Sequence, residues 1–305
     1  MSKLQKIAVI GATGMLGRPV LAALLDAGFD VTAVVRDADR AARMLPPAVK
    51  LVEADVFDEE SLRVAFASQD GVYLNLSVAP GARPSDMHTE AQGLAHILSA
   101  AKAAGIARVG YMSAMIQDAR RGTWWVRDVW QQAIARIKNS GIPYTIFYAS
   151  NVMETIPERH RWRDLLVIAR TGHVCHYWIA GADLGRQVAR AFAREDAASR
   201  EYVMQGPEAM SYVEAAERYA RSSPRPLRVV KVPLALIRAL GAVSTSMRFN
   251  ARILAEVLAY PEEFKAQTAW DELGRPTITI EDFASGAPER APGGLVDDAT
   301  APQVG

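Results

Sequence analysis

With 305 residues, half of them apolar, the chain is long enough for one large α/β domain, or one domain with a smaller addition, and can bury a core without staples. Its 35 lysines and arginines nearly balance 34 aspartates and glutamates, which leaves no electrostatic footprint for nucleic acid or an anionic membrane and points to small molecules or neutral surfaces as partners. The single cysteine, Cys175, excludes an intrachain disulfide and fits a reducing, cytoplasmic compartment.

The N-terminal stretch MSKLQKIAVIG reads as a strand entering a glycine turn, not as a signal peptide. Residues 7–10 are an uninterrupted apolar run, the pattern of a strand buried on both faces of a parallel sheet. Gly11, Gly14 and Gly17 follow at once, and residues 18–27 continue as a helix. Backbone N–H groups at such a helix start lack internal partners and the peptide dipoles make that end partly positive, so the turn is an anion site suited to a pyrophosphate. The spacing, G-x-x-G-x-x-G, is a variant of the dinucleotide fingerprint. A second buried strand spans 29–35 and is followed by Arg36. In a dinucleotide fold the side chain there meets the adenosine ribose, where an acid accepts from the 2'-hydroxyl of NAD and an arginine pairs with the 2'-phosphate of NADP. Arg36 therefore favours NADP(H), while Asp37 beside it keeps NAD(H) open as the alternative.

A short helix over 38–44 is stopped by Pro46 and Pro47. The third strand, 49–53, leads into Ala54-Asp55-Val56, where Asp55 either accepts from an adenine amino group or caps the helix that starts near Asp58. The fourth strand, 71–77, is expected to carry Asn75, Leu76 and Ser77 over the crevice outside the strand carboxyl ends. Residues 86–104 have the spacing of one long amphipathic helix, with His88 and His96 on its face, ending at Gly105. The fifth strand, 108–113, ends at Ser113. A helix over 123–139 and a sixth strand over 144–148, opening into Ala149-Ser150-Asn151-Val152-Met153, complete six strands that alternate with helices. That alternation predicts an α/β, doubly wound parallel sheet.

Beyond Asn151 the pattern loosens. It predicts a helix over 183–194, a short strand over 201–204, a capped helix over 211–221 with Glu214 three after Ser211, a strand over 227–232, and one or two helices over 234–258. Residues 233–243 are apolar but carry Arg238 and are too short to span a bilayer. The expected division is a dinucleotide-binding domain over 1–153, a substrate-side subdomain over 154–283 packed on the strand carboxyl ends, and a disordered tail over 284–305, where Gly, Pro, Ala and Asp take over.

The stretches GATGMLGRPV, VTAVVRD, VEADV and SGIPYTIFYASNVMET together resemble the NmrA-like group of atypical short-chain dehydrogenase/reductases. The likeness covers residues 5 to 155 well and continues more thinly through AGADLGRQVARAF, YVMQGPEAMSYVEAAE and WDELGRPTITIEDF. It implies a Rossmann-like cofactor fold with a small mixed α/β C-terminal subdomain, in a group that holds both NADPH-dependent reductases and catalytically silent redox sensors. Carried over by position, it implies that Gly11, Thr13, Gly14, Met15 and Leu16, closed by Gly17, lie along the pyrophosphate. It likewise implies Arg36 at the adenosine 2' position, Asp55 and Val56 at the adenine, and Leu76 to Val78, Ser77 included, near the ribose. Ser113 and the segment Ser150, Asn151, Val152 and Met153 are implied to flank the nicotinamide.

One departure matters for the chemistry. Carbonyl reduction in the classical superfamily uses a Tyr-x-x-x-Lys pair on the helix after the fifth strand. Here that helix reads TWWVRDVWQQAIARIKNSG, with Trp125, Val126, Val129 and Trp130 in the neighbourhood and Lys138 too near its end. Arg127 could lend charge to the ribose but cannot act as an acid. Ser113 is the leading polar candidate as a donor to a substrate oxygen, against the plainer role of satisfying backbone groups. Tyr111 and Tyr148 are the candidate proton donors, with water as the alternative. Trp124, Trp125 and Trp130, with Met153, are candidates for lining a flat substrate slot, although tryptophans at such spacing also pack ordinary cores. His173 and His176 flank Cys175 in GHVCHYW, but no second cluster with ligand spacing accompanies them, so no metal site is expected. The run RHRWR, 159–163, reads as a solvated helix face, with an anionic substrate as the alternative partner. Two functions remain: an NADPH-dependent oxidoreductase of a small aromatic or quinone-like molecule, or a non-catalytic NADP(H) sensor acting through a protein partner.

Overall fold

The computed structural model describes residues 4–118, 124–170, 174–196, 198–240 and 245–286. The chain begins β1 (Lys6–Ile10), α1 (Gly17–Asp26), β2 (Asp30–Val35), α2 (Ala38–Ala42), β3 (Lys50–Glu53), α3 (Glu59–Phe66), β4 (Gly71–Leu74), α4 (Leu94–Ala103), β5 (Arg108–Ala114), α5 (Trp125–Lys138) and β6 (Tyr144–Ala149). It continues α6 (Thr155–Arg159), β7 (Arg161–Trp162), β8 (Leu165–Arg170), β9 (Cys175–Tyr177), α7 (Gly181–Ala193), β10 (Arg200–Met204), β11 (Ala209–Ser211) and α8 (Tyr212–Ser222). Last come β12 (Arg228–Pro233), α9 (Leu234–Leu240), α10 (Thr245–Ala259), α11 (Gln267–Leu273) and α12 (Ile280–Ser285).

Seven strands form one parallel sheet in the order β10-β6-β5-β4-β1-β2-β3. The expected Rossmann-like α/β architecture is present, and its strand order reverses between β1 and β4, the switch point at which such sheets open a crevice. The inner strands β1 and β4 are buried almost throughout because both faces are covered. Ile7 and Val9 of β1 pack with Val20, Leu21 and Leu24 of α1 and with Leu184, Val188 and Phe192 of α7. Ala8 and Ile10, pointing the other way by the strand's period of two, pack with Leu62 and Phe66 of α3, Ile97 of α4 and Ile134 of α5.

Two elements expected on the substrate side belong to this sheet instead. β10 pairs in parallel with β6, from Arg200 opposite Thr145 to Met204 opposite Ala149, and α7 lies in the same core as α1. Strand membership is decided by tertiary packing, and five residues, REYVM, carry no local sign of which sheet they extend. The helix expected over 86–104 starts later: His88 is its cap, Thr89–Gly93 form a wider π turn, and the α-helix spans Leu94–Ala103. His88 is accordingly no helix-face residue; it is buried, with its ring 4.8 Å from that of Trp125. The fourth strand stops at Leu74, which leaves Asn75, Leu76 and Ser77 in the loop beyond it.

The remaining strands make a three-stranded sheet, β12-β8-β7, and a two-stranded pair, β11-β9, over a second core of Met153, Ile156, Leu166, Trp178, Tyr212, Ala215 and Ile280. Trp178 is fully buried, and its indole N–H donates to the Met210 carbonyl oxygen at 3.0 Å. The run RHRWR is not a helix face. α6 ends at Arg159, Arg161 and Trp162 pair with β8, and Arg163 turns with φ 56°. Of the tail expected from 284, Ala284 and Ser285 close α12, and residues 287–305 lie outside the described residues. Among the described residues no helix is long and apolar enough to cross a membrane.

Candidate functional site

The glycine turn is built for close approach. Gly11 sits at φ 80°, and a Cβ there would fall on the Asn75 carbonyl oxygen at the end of β4. Gly17 packs against the Gly11 carbonyl, which pins the start of α1 to the end of β1. The Gly14 amide donates to the Gly11 carbonyl oxygen at 3.1 Å, and no side chain caps α1 at Leu16. The Met15, Leu16 and Gly17 amides have no backbone acceptor among the described residues, so the helix start presents free donors and a positive dipole end.

Arg36 stands exposed beyond β2 and has no hydrogen bond or ion pair among the described residues. The two carboxylates flanking it are already engaged. Asp37 caps α2 by accepting the Arg40 amide at 2.8 Å, and Glu53 accepts the Ala38 amide at 2.8 Å.

From this turn a crevice of about 1000 Å³ runs along the strand carboxyl ends to the smaller lobe. Of the residues singled out from sequence, Gly11, Thr13, Gly14, Met15, Leu16, Arg36, Leu76, Ser77, Tyr111, Ser113, Trp130, Ser150, Asn151 and Val152 border it. Others do not. Gly17 supports the turn from behind, as above. Asp55 is taken up locally, its carboxylate accepting the Phe57 amide at 2.9 Å, and Val56 packs in the layer of α3 and α4. Trp125 lies against His88, and Met153 is buried in the second core.

Polar groups at the crevice differ sharply in what they can do. Ser113 Oγ is buried beside the Tyr111 phenol. Tyr111 is 1% exposed, and burial, reinforced by the Glu90 carboxyl, lifts its phenol well above the usual value of 10, so it is a poor proton donor. Tyr148 is turned away: its hydroxyl donates to Glu201 of β10 at 2.7 Å. Arg127 is buried with its guanidinium 3.7 Å from Glu256 of α10, not at the crevice. His160 borders the crevice as a neutral imidazole, its pKa pushed down to about 4 by burial and by Arg159. His173 lies outside the described residues, and among those described no group of three His, Cys, Asp or Glu is arranged to hold a metal ion.

Sequence reasoning missed the far wall. It is apolar and comes from α10 through Met247, Phe249, Ile253, Leu254 and Val257, with Trp130 and Met115 facing it. It also missed Glu262, in the segment after α10, which is buried and accepts from Ser150 Oγ at 2.7 Å and from Gln205 Nε2 at 2.7 Å. In the sequence Glu262 stands in YPEEF, whose two adjacent acids read as surface charge.

The model of the NmrA-like family matches residues 3–284. The chain belongs to the NmrA-like family. Among its relatives, an NAD(P)H azoreductase of Xenophilus azovorans is 24% identical over 290 residues, covering 91% of this chain and 96% of that one. The photosystem II assembly factor Ycf39 of Cyanophora paradoxa is 24% identical over 262 residues, covering 84% and 80%. The crystal structure of an NADPH-dependent quinone oxidoreductase of Escherichia coli superposes with a TM-score of 0.72 at 20% identity, covering 92% of this chain and 98% of that one. The NmrA-like chain thus has the Rossmann-like fold of these neighbours.

Glu154, in the stretch SGIPYTIFYASNVMET, has a testable consequence for stability. Glu154 Oε1 accepts the Gly181 amide at 2.7 Å, at the first turn of α7, while burial raises its pKa from 4.5 to about 7. A raised folded-state pKa gives stability that is full below 4.5 and lost as pH rises through about 7. Glu154→Gln is expected to remove that part of the pH slope, gaining up to about 3 kcal/mol relative to the parent between pH 5 and pH 8.5. Urea unfolding at both pH values checks it; parallel slopes in the two proteins would contradict it.

Proposed function

We propose that this chain is an NADPH-dependent oxidoreductase that reduces a small, flat, conjugated acceptor such as a quinone. The observation that carries this reading is the continuity of one crevice from the free amides of the glycine turn to the apolar wall of α10. The residues present fit the cofactor: the glycines let the turn close tightly on itself and on the end of β4, and the Met15 and Leu16 amides at the crevice are unspent. Arg36 would pair with the 2'-phosphate, since the neighbouring carboxylates that could serve a ribose hydroxyl are held by α2. When bound, the nicotinamide supplies a hydride at the strand carboxyl ends. Ser113 Oγ, the buried hydroxyl bordering that region, would donate to a substrate oxygen, and the α10 wall would exclude water and stack on the acceptor. The azoreductase and quinone oxidoreductase relatives support the same substrate class.

The second reading, a non-catalytic NADP(H) sensor acting through a protein partner, is favoured by α5. Where a Tyr-x-x-x-Lys pair would stand it carries Trp125, Val126, Val129 and Trp130, and an assembly factor is among the relatives. Loss of NADPH absorbance across a panel of quinones and enones separates the two. Saturable turnover that falls on Ser113→Ala supports the reductase; tight binding with no oxidation by any acceptor supports the sensor.

Cofactor choice has its own test. Arg36→Ala is expected to weaken NADPH by about 1.5 to 3 kcal/mol, the worth of a charge-assisted hydrogen bond, and to leave NADH nearly unchanged in calorimetry. Equal weakening of both would mean that Arg36 does not read the phosphate.

A further inference from the structure

The classical proton donor is missing from α5, Tyr148 is turned to Glu201, and Tyr111 is too buried to be acidic. One imidazole in the crevice wall has the arrangement a proton donor requires. His176, in the middle of β9, is 1% exposed and borders the crevice. Its Nδ1 faces Glu262 Oε2 at 3.2 Å. Its Nε2 is buried with no hydrogen-bond partner.

The carboxylate is itself held on every side. Glu262 Oε2 also accepts from Ser150 Oγ at 2.7 Å, and Oε1 accepts from Gln205 Nε2 at 2.7 Å and from the Tyr177 amide at 3.3 Å. A buried carboxyl group with four donors aimed at it is an acceptor only, so it fixes a proton on Nδ1 and orients the ring. The exchangeable position is then Nε2, and a buried imidazole nitrogen without a partner is costly unless something else meets it.

We propose that His176 is the general acid of the reductase reaction, Glu262 being the positioning residue that holds its ring. This deepens the reductase reading above and rests on it. Reduction of a quinone needs a hydride and a proton. The hydride goes from the nicotinamide to the acceptor, the acceptor oxygen gains the electron pair of its carbonyl π bond, and the imidazolium Nε2–H gives that oxygen its proton. The neutral imidazole left behind takes a proton back from solvent through the crevice. The other groups around it are few. Tyr212, at the start of α8, stands edge-on with its ring 5.9 Å away, His160, which follows α6, stands edge-on to the same Tyr212 ring, and Tyr260 follows α10 near Glu262. Burial raises the Tyr212 phenol and lowers His160, so neither competes as donor or carries charge near neutrality.

The test compares two acceptors of opposite proton demand. A quinone takes up a hydride and a proton. A cationic triarylmethyl dye takes up a hydride alone, since the hydride closes its carbocation to a C–H bond. His176→Asn keeps an amide N–H where Nδ1 was and removes Nε2. It is expected to change the ratio of dye to quinone turnover by about 100-fold or more, the usual contribution of a general acid. NADPH affinity by calorimetry reports that the variant is folded. An unchanged ratio, whether both rates fall together or neither falls, would overturn the proposal and leave His176 a structural residue. No turnover of either acceptor by the parent protein would overturn the reductase reading itself, and this proposal with it.

Discussion

Gly11→Ala is expected to abolish nicotinamide nucleotide binding and to destabilise the protein by about 3 kcal/mol or more, as a left-handed non-glycine residue and a backbone collision add together. The residue sits at φ 80°, and its new methyl would fall on the Asn75 carbonyl oxygen. That oxygen cannot retreat freely, because the Asn75 amide is bonded to the Ile10 carbonyl at 3.0 Å and so belongs to the β1–β4 ladder. The turn must therefore lift off β4 and carry the Met15 and Leu16 amides with it. Calorimetry with NADPH, paired with thermal unfolding, checks both halves. Undiminished affinity would mean that the phosphates are held elsewhere.

Asp183→Ala is expected to cost about 3 to 5 kcal/mol, because truncating one partner strands several buried polar groups at once. Asp183 lies in the first turn of α7 and is 1% exposed. Its carboxylate accepts the Ile278 amide at 2.9 Å and the Thr277 amide at 3.1 Å, and pairs with Arg186. Burial lifts its pKa even so, with those donors pulling the other way. The strand of contacts matters beyond its own energy. It docks the segment that leads into α12, whose Glu281 pairs with Arg218 of α8 and whose Phe283 lies 6.0 Å from Tyr219. Urea unfolding should report the loss, and limited proteolysis should cut near residue 277. A cost under about 1 kcal/mol would mean that apolar contacts alone hold the segment.

What was legible in the sequence is what the backbone decides locally. Parallel strands covered on both faces read as apolar runs, and glycines needed for a tight turn stand next to one another in the chain, so β1, β2 and the phosphate turn were all readable. Asp37 illustrates the limit of that approach. Its position beside Arg36 suggested a ribose partner, and only the fold commits it to the cap of α2. The far wall of the crevice was illegible for a stronger reason. α10 reaches Trp130 across more than a hundred residues, and no local pattern says which face of an amphipathic helix a distant lobe will borrow. Glu262 was hidden for the same reason: a carboxylate is read as surface unless its donors are in view, and these come from Ser150, His176, Tyr177 and Gln205.

The seventh strand has a consequence for how the protein is made. On the ribosome, β6 emerges with its outer edge bare, and β10, which covers that edge, is translated only after the whole of α6 to α7. At roughly 5–20 residues per second the nascent sheet waits several seconds with one open flank. For that interval an aggregation-prone edge is exposed, and a chaperone that shields strand edges is expected to raise the yield of folded protein during synthesis more than during refolding of the finished chain.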